Sequence, residues 1–216
     1  MSNNSLVYVI LDNGHGINTP GKRSPLMEDN HVFYEWEYNR KMVKRLSEMI
    51  DSRRHQLLNE GIDLRYMILV PESTDISLNE RVMRANNFAK GKANVILVSC
   101  HCNAAGDAKN WNTATGWEVF TTIGETNSDK LAEHMVVAAK NILKDKKLRL
   151  DYSDGDGDKE SNFFILKKTS VPSVLVENFF MTNKDDVKFL ESEDGLNRCC
   201  EVIYQGIVNY AKNNIK

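Results

Sequence analysis

Three residues that can bind metals or move protons follow apolar runs in this chain. His15 stands between two glycines directly after the run of residues 6–11, His101 closes the segment "NVILVSCH", and Glu177 follows "SVLV". If these runs are parallel strands, their carboxyl ends meet at one edge of a sheet, where open α/β sheets bind ligands. His101 alone is better explained as a hydrogen-bonded core histidine. The three positions together instead predict a chemical site.

Glu35 is a fourth residue of this kind. It opens residues 35–50, whose apolar members recur at the three-and-four spacing of a helix face. On that helix Glu35 shares the apolar face, whereas Glu37 shares a face with Lys41 and Lys44. Because burial of an uncompensated charge is costly, a carboxylate in a buried first turn needs a partner, such as the helix N-terminus or a metal ion. We therefore expect Glu35 in the site, with Glu37 as the alternative.

Two imidazoles and one carboxylate match the three protein ligands of a catalytic zinc site, in which the fourth position is left to water. Side-chain alternation along the strand of His101 indicates which of its neighbours could be ligands in such a site. Alternation along a strand places Cys100 and Cys102 on the face opposite His101. Neither cysteine is therefore predicted to be a ligand, and both are expected to pack as small apolar groups.

Three polar residues are candidates for contacts around these ligands. Ser99 and Asn103 fall on the His101 face of the strand and could orient its ring through the second ring nitrogen. Asp12 is the similar candidate beside His15.

Strand-like and helix-like stretches alternate along the chain and must position these residues. The strand-like runs are residues 6–11, 66–70, 94–99, 117–122, 163–166 and 173–178. Amphipathic helices are predicted over residues 35–50, 77–90, 128–144 and 195–212, with Ser77 as an N-cap. This alternation predicts one α/β domain over residues 1–216, with a mostly parallel sheet of about six strands flanked by helices. The polar segments 103–116 and 151–162 are predicted as surface loops.

The composition narrows the class of protein. The chain has 216 residues, of which 41% are hydrophobic, and a formal net charge of −2, so it can bury a core and lacks the basic surplus expected for nucleic-acid binding. No apolar run is long enough to span a bilayer, and the segment "MSNNSLVYVILD" lacks the regions of a secretory signal. We expect a protein made in soluble form in the cytoplasm, with reduced cysteines. At most one of Cys199 and Cys200 is expected to face the core.

The acidic segment "DYSDGDGDKE" resembles a calcium-binding loop only in part. An EF-hand frame that starts at Asp154 places Asp156 and Asp158 correctly, but Lys159 replaces the required glycine and Ile165 the required glutamate. The segment is therefore predicted to be an acidic, solvated loop.

At this point the chain is identified as similar to a known family. The matching segments are "LDNGHG", "EWEYNR", "LNERVMRAN", "VSCHCNA", "GWEVF", "SDKLA" and "PSVLVENFFMTN", in that order. They resemble the zinc-dependent N-acetylmuramoyl-L-alanine amidases of the amidase-3 type, and especially their phage-type and prophage-type members. The family fold is a twisted, mostly parallel sheet flanked by helices, with zinc at its carboxyl edge. One departure is Asn13, which stands where family members usually carry proline.

The resemblance implies a role for each of the four residues. His15, Glu35 and His101 correspond to the zinc ligands, and Glu177 corresponds to the catalytic glutamate. The implied reaction is the hydrolysis, by zinc-activated water, of the amide between N-acetylmuramic acid and L-alanine in bacterial peptidoglycan. The implied protein is an endolysin-like monomer that acts on the cell wall, by an export route that the residues leave open.

Two other function classes remain open at this stage. One is a zinc hydrolase that acts on free peptides, which the ordered family segments disfavour. The other is a catalytically inactive wall-binding module, which is disfavoured because all four chemical positions hold competent residues.

Overall fold

A six-stranded sheet forms the centre of the molecule. The computed structural model describes residues 4–107 and 109–215. Outside these ranges lie the first three residues of "MSNNSLVYVILD", one residue of the predicted loop 103–116 and the last residue of the predicted domain. The strands are β1 (Ser5–Asn13), β2 (Ile62–Ile68), β3 (Val95–Asn103), β4 (Glu118–Thr121), β5 (Lys159–Glu160) and β6 (Ser173–Phe180). Their order is β2-β1-β3-β6-β4-β5, with β4 antiparallel to β6 and the other neighbours parallel. The prediction of a mostly parallel sheet is confirmed.

Seven helices lie between the strands or follow the last of them in the described part of the chain. They are α1 (Glu35–Ser52), α2 (Arg54–Asn59), α3 (Leu78–Ala89), α4 (Asn127–Ile142), α5 (Phe164–Lys168), α6 (Lys184–Glu191) and α7 (Glu193–Asn214). The four predicted helices are confirmed as α1, α3, α4 and α7, and the Ser77 hydroxyl caps α3 by accepting from the backbone N–H of Glu80 at 3.2 Å. Within the described ranges, no helix has both the length and the apolar character needed to cross a bilayer.

Two hydrophobic clusters cover the two faces of the sheet. Side chains of α1, α4, α6 and α7 pack on one face, and those of α3 and α5 pack on the other. The chain leaves β1 through α1 to reach β2 and returns through α3 to β3, on the opposite side of β1. This reversal makes the carboxyl ends of β1 and β3 a topological switch point, where a ligand cleft is expected.

The four cysteines lie in the cluster beneath α1 and α7. Cys100 and Cys102 are buried there as free thiols. This confirms the prediction that they lie on the face of β3 opposite His101. The prediction that at most one of Cys199 and Cys200 faces the core is wrong, because both are 0% exposed. The reason is that α7 packs against α1, α4 and α6, so more than one face of this helix is buried.

The strand predicted at residues 163–166 is also wrong. These residues enter the short helix α5, which buries Ile165 and Leu166 against the face that α3 covers. A four-residue apolar run has no periodicity that separates a strand from a buried helical turn. The sixth strand is instead β5, which lies inside the segment predicted as a loop.

The acidic segment is less solvated than predicted. Asp158 is 3% exposed, and its carboxylate accepts a hydrogen bond from the buried Thr121 hydroxyl at 2.6 Å. Because β5 pairs with β4, this part of the segment belongs to the sheet. The number of acidic residues in the segment does not reveal that pairing.

The contact between α4 and α7 generates a stability prediction. A Cβ built on Gly206 of α7 would stand 2.3 Å from Cγ and 3.0 Å from Cα of Met135 on α4. Alanine normally favours a helix over glycine by about 1 kcal/mol. Gly206→Ala should nevertheless lower the free energy of unfolding by roughly 1–3 kcal/mol, because α4 must shift to admit the methyl group. Urea denaturation measures the change.

Two further variants separate this overpacking from other effects. Asn209→Ala in the same helix should change stability by no more than about 0.5 kcal/mol. Met135→Ala combined with Gly206→Ala should lose less stability than the sum of the two single losses, because truncation of Met135 removes the Cγ that the new methyl group meets. An unchanged or raised stability of Gly206→Ala alone would contradict the close packing of the two helices.

Candidate metal centre

The two glycines beside His15 are required by close approaches of the backbone. A Cβ on Gly14 would lie 2.1 Å from the His101 ring, and a Cβ on Gly16 would lie 2.0 Å from the backbone nitrogen of Asp75. His15 itself has φ of 66°, in the left-handed region that costs a non-glycine residue energy. The segment "GHG" therefore turns sharply at the end of β1 and brings its histidine against that of β3.

Two arginines hold this turn. Arg81, on the buried face of α3, is ion-paired with Asp12 and donates to the carbonyl oxygens of Asn13 at 2.9 Å and His15 at 3.3 Å. Arg40 of α1 donates to the same His15 carbonyl at 3.0 Å. Arg40 and Arg81 come from helices on opposite faces of the sheet. Because both donate to backbone carbonyls of the turn, they stabilise the strained conformation of His15.

Glu35 occupies the first turn of α1 and reaches the end of β3. Its Oε1 accepts from the backbone N–H of Cys102 at 3.1 Å and lies 3.0 Å from His101 Nδ1 and 3.4 Å from His15 Nε2. The rings of the two histidines are nearly perpendicular, with centroids 4.9 Å apart. Glu37 is exposed and pairs with Lys41, so the prediction that Glu35 takes the buried face is confirmed.

This donor set fits a zinc ion. One ligand atom each from His15, Glu35 and His101 lies within 4.8 Å of the other two. Ligands at zinc–nitrogen and zinc–oxygen distances in a tetrahedron stand about 3.3 Å apart, close to the separations seen here. In the described part of the chain, Glu35 Oε2 is a buried oxygen without a hydrogen-bond partner, which a cation would provide. The His15 and His101 side chains are 18% and 16% exposed, and both line the cleft beside them.

The surroundings of Glu35 favour its ionised form. Burial by itself disfavours the charge, but the hydrogen bonds and charges of His101 and His15 outweigh that effect and hold the pKa of the carboxyl well below its usual range. Glu35 is thus a carboxylate at neutral pH, as a metal ligand must be.

The ligand atoms of His15, Glu35 and His101 form a triangle, called here the metal triangle. Glu177 stands beside it in a different environment. It pairs in register with His101 of β3 on one side and with Glu118 of β4 on the other. Burial raises the pKa of the Glu177 carboxyl to about 8, with opposition from the His101 charge and reinforcement from Glu35. Among the described residues, none donates a hydrogen bond to its buried Oε2. The group is therefore suited to hold or release a proton.

The three residues expected to make contacts around the ligands have other partners. The Ser99 hydroxyl donates to the Asp12 carboxylate at 2.6 Å, and Asp12 acts on the His15 turn through Arg81. Asn103 donates to the buried Glu118 carboxylate instead of contacting the His101 ring. Side-chain alternation identifies a shared face but not the nearest partner, because β3 is irregular between His101 and Asn103.

The site opens into a cleft of about 420 Å³. Its wall beyond the metal triangle is largely apolar and comes from the starts of α3 and α5 and from β6. The lining residues on this side are Ile76, Leu78, Phe163, Phe164, Ile165 and Leu175. Lys22 contributes a charged side chain to the same lining.

Sequence reasoning did not identify Arg81, Arg40 or Lys22. Arg81 alone has a visible signal, since it stands four residues before Ala85 on the face of α3 that carries Ala85 and Ala89. An arginine within a buried stripe requires a partner, and such a requirement points to a polar network. Arg40 and Lys22 have no comparable signal.

Comparisons with known proteins agree with the geometry. A family model described as N-acetylmuramoyl-L-alanine amidase, Amidase_3, matches residues 9–209. An N-acetylmuramoyl-L-alanine amidase structure from Clostridium difficile 630 shares 28% sequence identity, with a TM-score of 0.75 over 99% of this chain and 100% of that one.

Curated relatives extend this similarity to longer proteins. An uncharacterized cell wall amidase of Bacillus anthracis is 30% identical over 94% of this chain and 35% of its own length. The endolysin of Bacillus phage SPP1 is 27% identical over 92% of this chain and 64% of its own length. The chain thus spans about a third to two thirds of these relatives. Because the family model covers nearly all of it, the chain belongs to the Amidase_3 family of N-acetylmuramoyl-L-alanine amidases.

Proposed function

We propose that this protein is a zinc-dependent peptidoglycan hydrolase that cleaves the amide between the lactyl group of N-acetylmuramic acid and L-alanine. The observation that carries the proposal is the triangle of His15, Glu35 and His101 with Glu177 beside it, in a chain of the amidase family. Residues 1–216 would form the catalytic domain, which acts as a monomer on the bacterial cell wall.

His15, Glu35 and His101 would hold the zinc ion, and the apolar wall of the cleft would exclude water from the bound amide. When bound, zinc supplies a Lewis acid that polarises the amide carbonyl and lowers the pKa of a water molecule towards about 7. The contact between Glu35 Oε1 and the Cys102 N–H keeps that oxygen in place at the edge of β3. Arg81 and Arg40 would keep the His15 ring in position through its backbone.

Glu177 would serve as the general base and then as the general acid. Its carboxylate accepts the proton from the attacking water and delivers it to the departing nitrogen of L-alanine, which leaves as an amine. A raised pKa suits both steps, because the group binds a proton firmly enough to carry it between two atoms. Its free Oε2 leaves one oxygen available for that proton.

The metal requirement generates the first prediction on activity. The purified protein should contain about one zinc per chain, and chelation should abolish hydrolysis of cell walls until zinc is restored. Glu35→Gln should lose the metal, because it removes one of three ligands. Glu37→Gln, two residues away and exposed, is the matched control and should retain both metal and activity. Full activity of the metal-free protein would overturn the proposal, and loss of zinc from Glu37→Gln alone would reassign the ligand.

Glu177→Gln generates the second prediction. The variant keeps the shape of the side chain but cannot accept a proton, so turnover should fall by about 10²–10⁴-fold while zinc content stays at the parent level. Hydrolysis of a muramoyl tripeptide and metal analysis measure the two quantities. Loss of zinc would make Glu177 a ligand, and retention of full turnover would assign the proton transfer to another residue.

A plain tripeptide without the muramoyl group tests the substrate class. The proposed amidase should leave it intact, whereas a peptidase would cleave it at a rate comparable to that of the muramoyl tripeptide.

A further inference from the structure

Lys22 brings a positive charge into the cleft of the candidate metal centre. It lines the same cavity as His15, His101 and Glu177. The segment that carries it, residues 17–23, also borders a second depression that includes Tyr34 and Trp36. Lys22 therefore stands where the cavity over the metal triangle meets the surface beside it.

The backbone of Lys22 is tied to the element that carries Glu35. Residues 22–24 run antiparallel to residues 33–35. The backbone N–H of Glu35 donates to the Lys22 carbonyl at 3.1 Å, and the backbone N–H of Ser24 donates to the Phe33 carbonyl at 2.8 Å. The start of α1 thus fixes the backbone of Lys22 relative to the metal triangle.

Lys22 and Arg81 are the lysine and arginine of this lining. Arg81 is held in ion pairs, whereas Lys22 acts on the Glu177 carboxyl only through its charge, without an ion pair. The Arg81 guanidinium is ion-paired with Asp12 and Asp75. Across residues 4–107 and 109–215, no carboxylate forms an ion pair with Lys22 and no side chain forms a hydrogen bond with it. A lysine ammonium that stands beside an apolar wall and forms no ion pair is a site for an anionic group of a ligand.

We propose that Lys22 binds the free α-carboxylate of the second residue of the stem peptide, and thereby selects peptidoglycan in which this group is not amidated. The proposal rests on the proposed function. With the scissile carbonyl at the metal triangle, the departing side carries L-alanine and then D-glutamate, whose peptide chain continues through the γ-carboxyl. Its α-carboxylate is thus the nearest anionic group on the peptide side.

The reach of the two partners is consistent with this assignment. One extended residue spans about 3.3–3.6 Å, so the α-carboxylate stands roughly two residue lengths, about 7 Å, from the scissile bond. A distance of about 7 Å fits inside one cleft. The flexible lysine side chain extends the range over which the ammonium can meet the carboxylate. Amidation of the carboxylate replaces a charge-assisted hydrogen bond by a neutral one and removes the ion pair.

Two defined substrates test the proposal. They are N-acetylmuramoyl-L-alanyl-D-glutamate, which has the free α-carboxylate, and N-acetylmuramoyl-L-alanyl-D-isoglutamine, which has the amide. The parent protein should cleave the acid with a kcat/KM roughly tenfold higher than that for the amide. Lys22→Gln should abolish this preference by raising KM for the acid, with little change for the amide. Lys22→Arg should retain most of the preference because it keeps the charge.

Arg23→Gln is the matched control. Arg23 is the adjacent cation, is exposed, and borders the second depression instead of the metal cleft. This variant should keep the parent preference for the acid. Equal kcat/KM for the two substrates in the parent, or an equal fall for both substrates in Lys22→Gln, would overturn the proposal.

A binding measurement separates this proposal from the proposed function. Calorimetry on Glu177→Gln should give a Kd for the acid about tenfold lower than that for the amide, and Glu177→Gln combined with Lys22→Gln should bind the two ligands equally. If the parent cleaves neither substrate, the proposed function fails, while the binding comparison still decides the role of Lys22. Equal affinities of Glu177→Gln for the two ligands would overturn that role.

Discussion

A carboxylate removed from water must be compensated by charges or hydrogen-bond donors, and Glu35, at 1% exposure, is compensated by three groups from two separate segments. They are the His15 ring after β1, the His101 ring on β3, and the backbone N–H of Cys102. The contacts of Glu35 Oε1 therefore join the start of α1 to the ends of β1 and β3. The geometry that suits a metal ion is a consequence of the same requirement, because the atoms that approach Glu35 are themselves ligand atoms.

The turn that carries His15 depends on a second buried interaction. Arg81 and Asp12 are both nearly inaccessible to solvent, and the arginine also pairs with Asp75 and donates to the carbonyl oxygens of the turn. Removal of Arg81 would leave the buried Asp12 charge without an ion pair, which is strongly destabilising. The turn also lacks room for side chains at Gly14 and Gly16, so both its composition and its electrostatics are set by the approach of neighbouring elements.

Two glutamates stand within one site and have opposite protonation behaviour. Glu35 is held ionised by two imidazoles, whereas burial raises the pKa of Glu177 to about 8 in the absence of a strong partner. Groups whose environments separate their pKa values in this way are suited to different tasks, one as a permanent anion and the other as a proton carrier. The contrast follows from position, since Glu35 projects from a helix N-terminus into the cluster and Glu177 projects from a strand beside it.

The sequence alone determined the α/β architecture, the helical face of Glu35 and the opposite orientation of Cys100, because these properties depend on periodicity within one element. It also identified His15 and His101, since parallel strands end at a common edge. Only the tertiary structure decided what each side chain contacts. Asn103 contacts Glu118, and the run at 163–166 enters a helix. Arg81 lines the cleft from α3, which is distant in sequence, and Lys22 lines it from the loop between β1 and α1. Periodicity specifies the face of an element, whereas partners depend on how separate elements pack together.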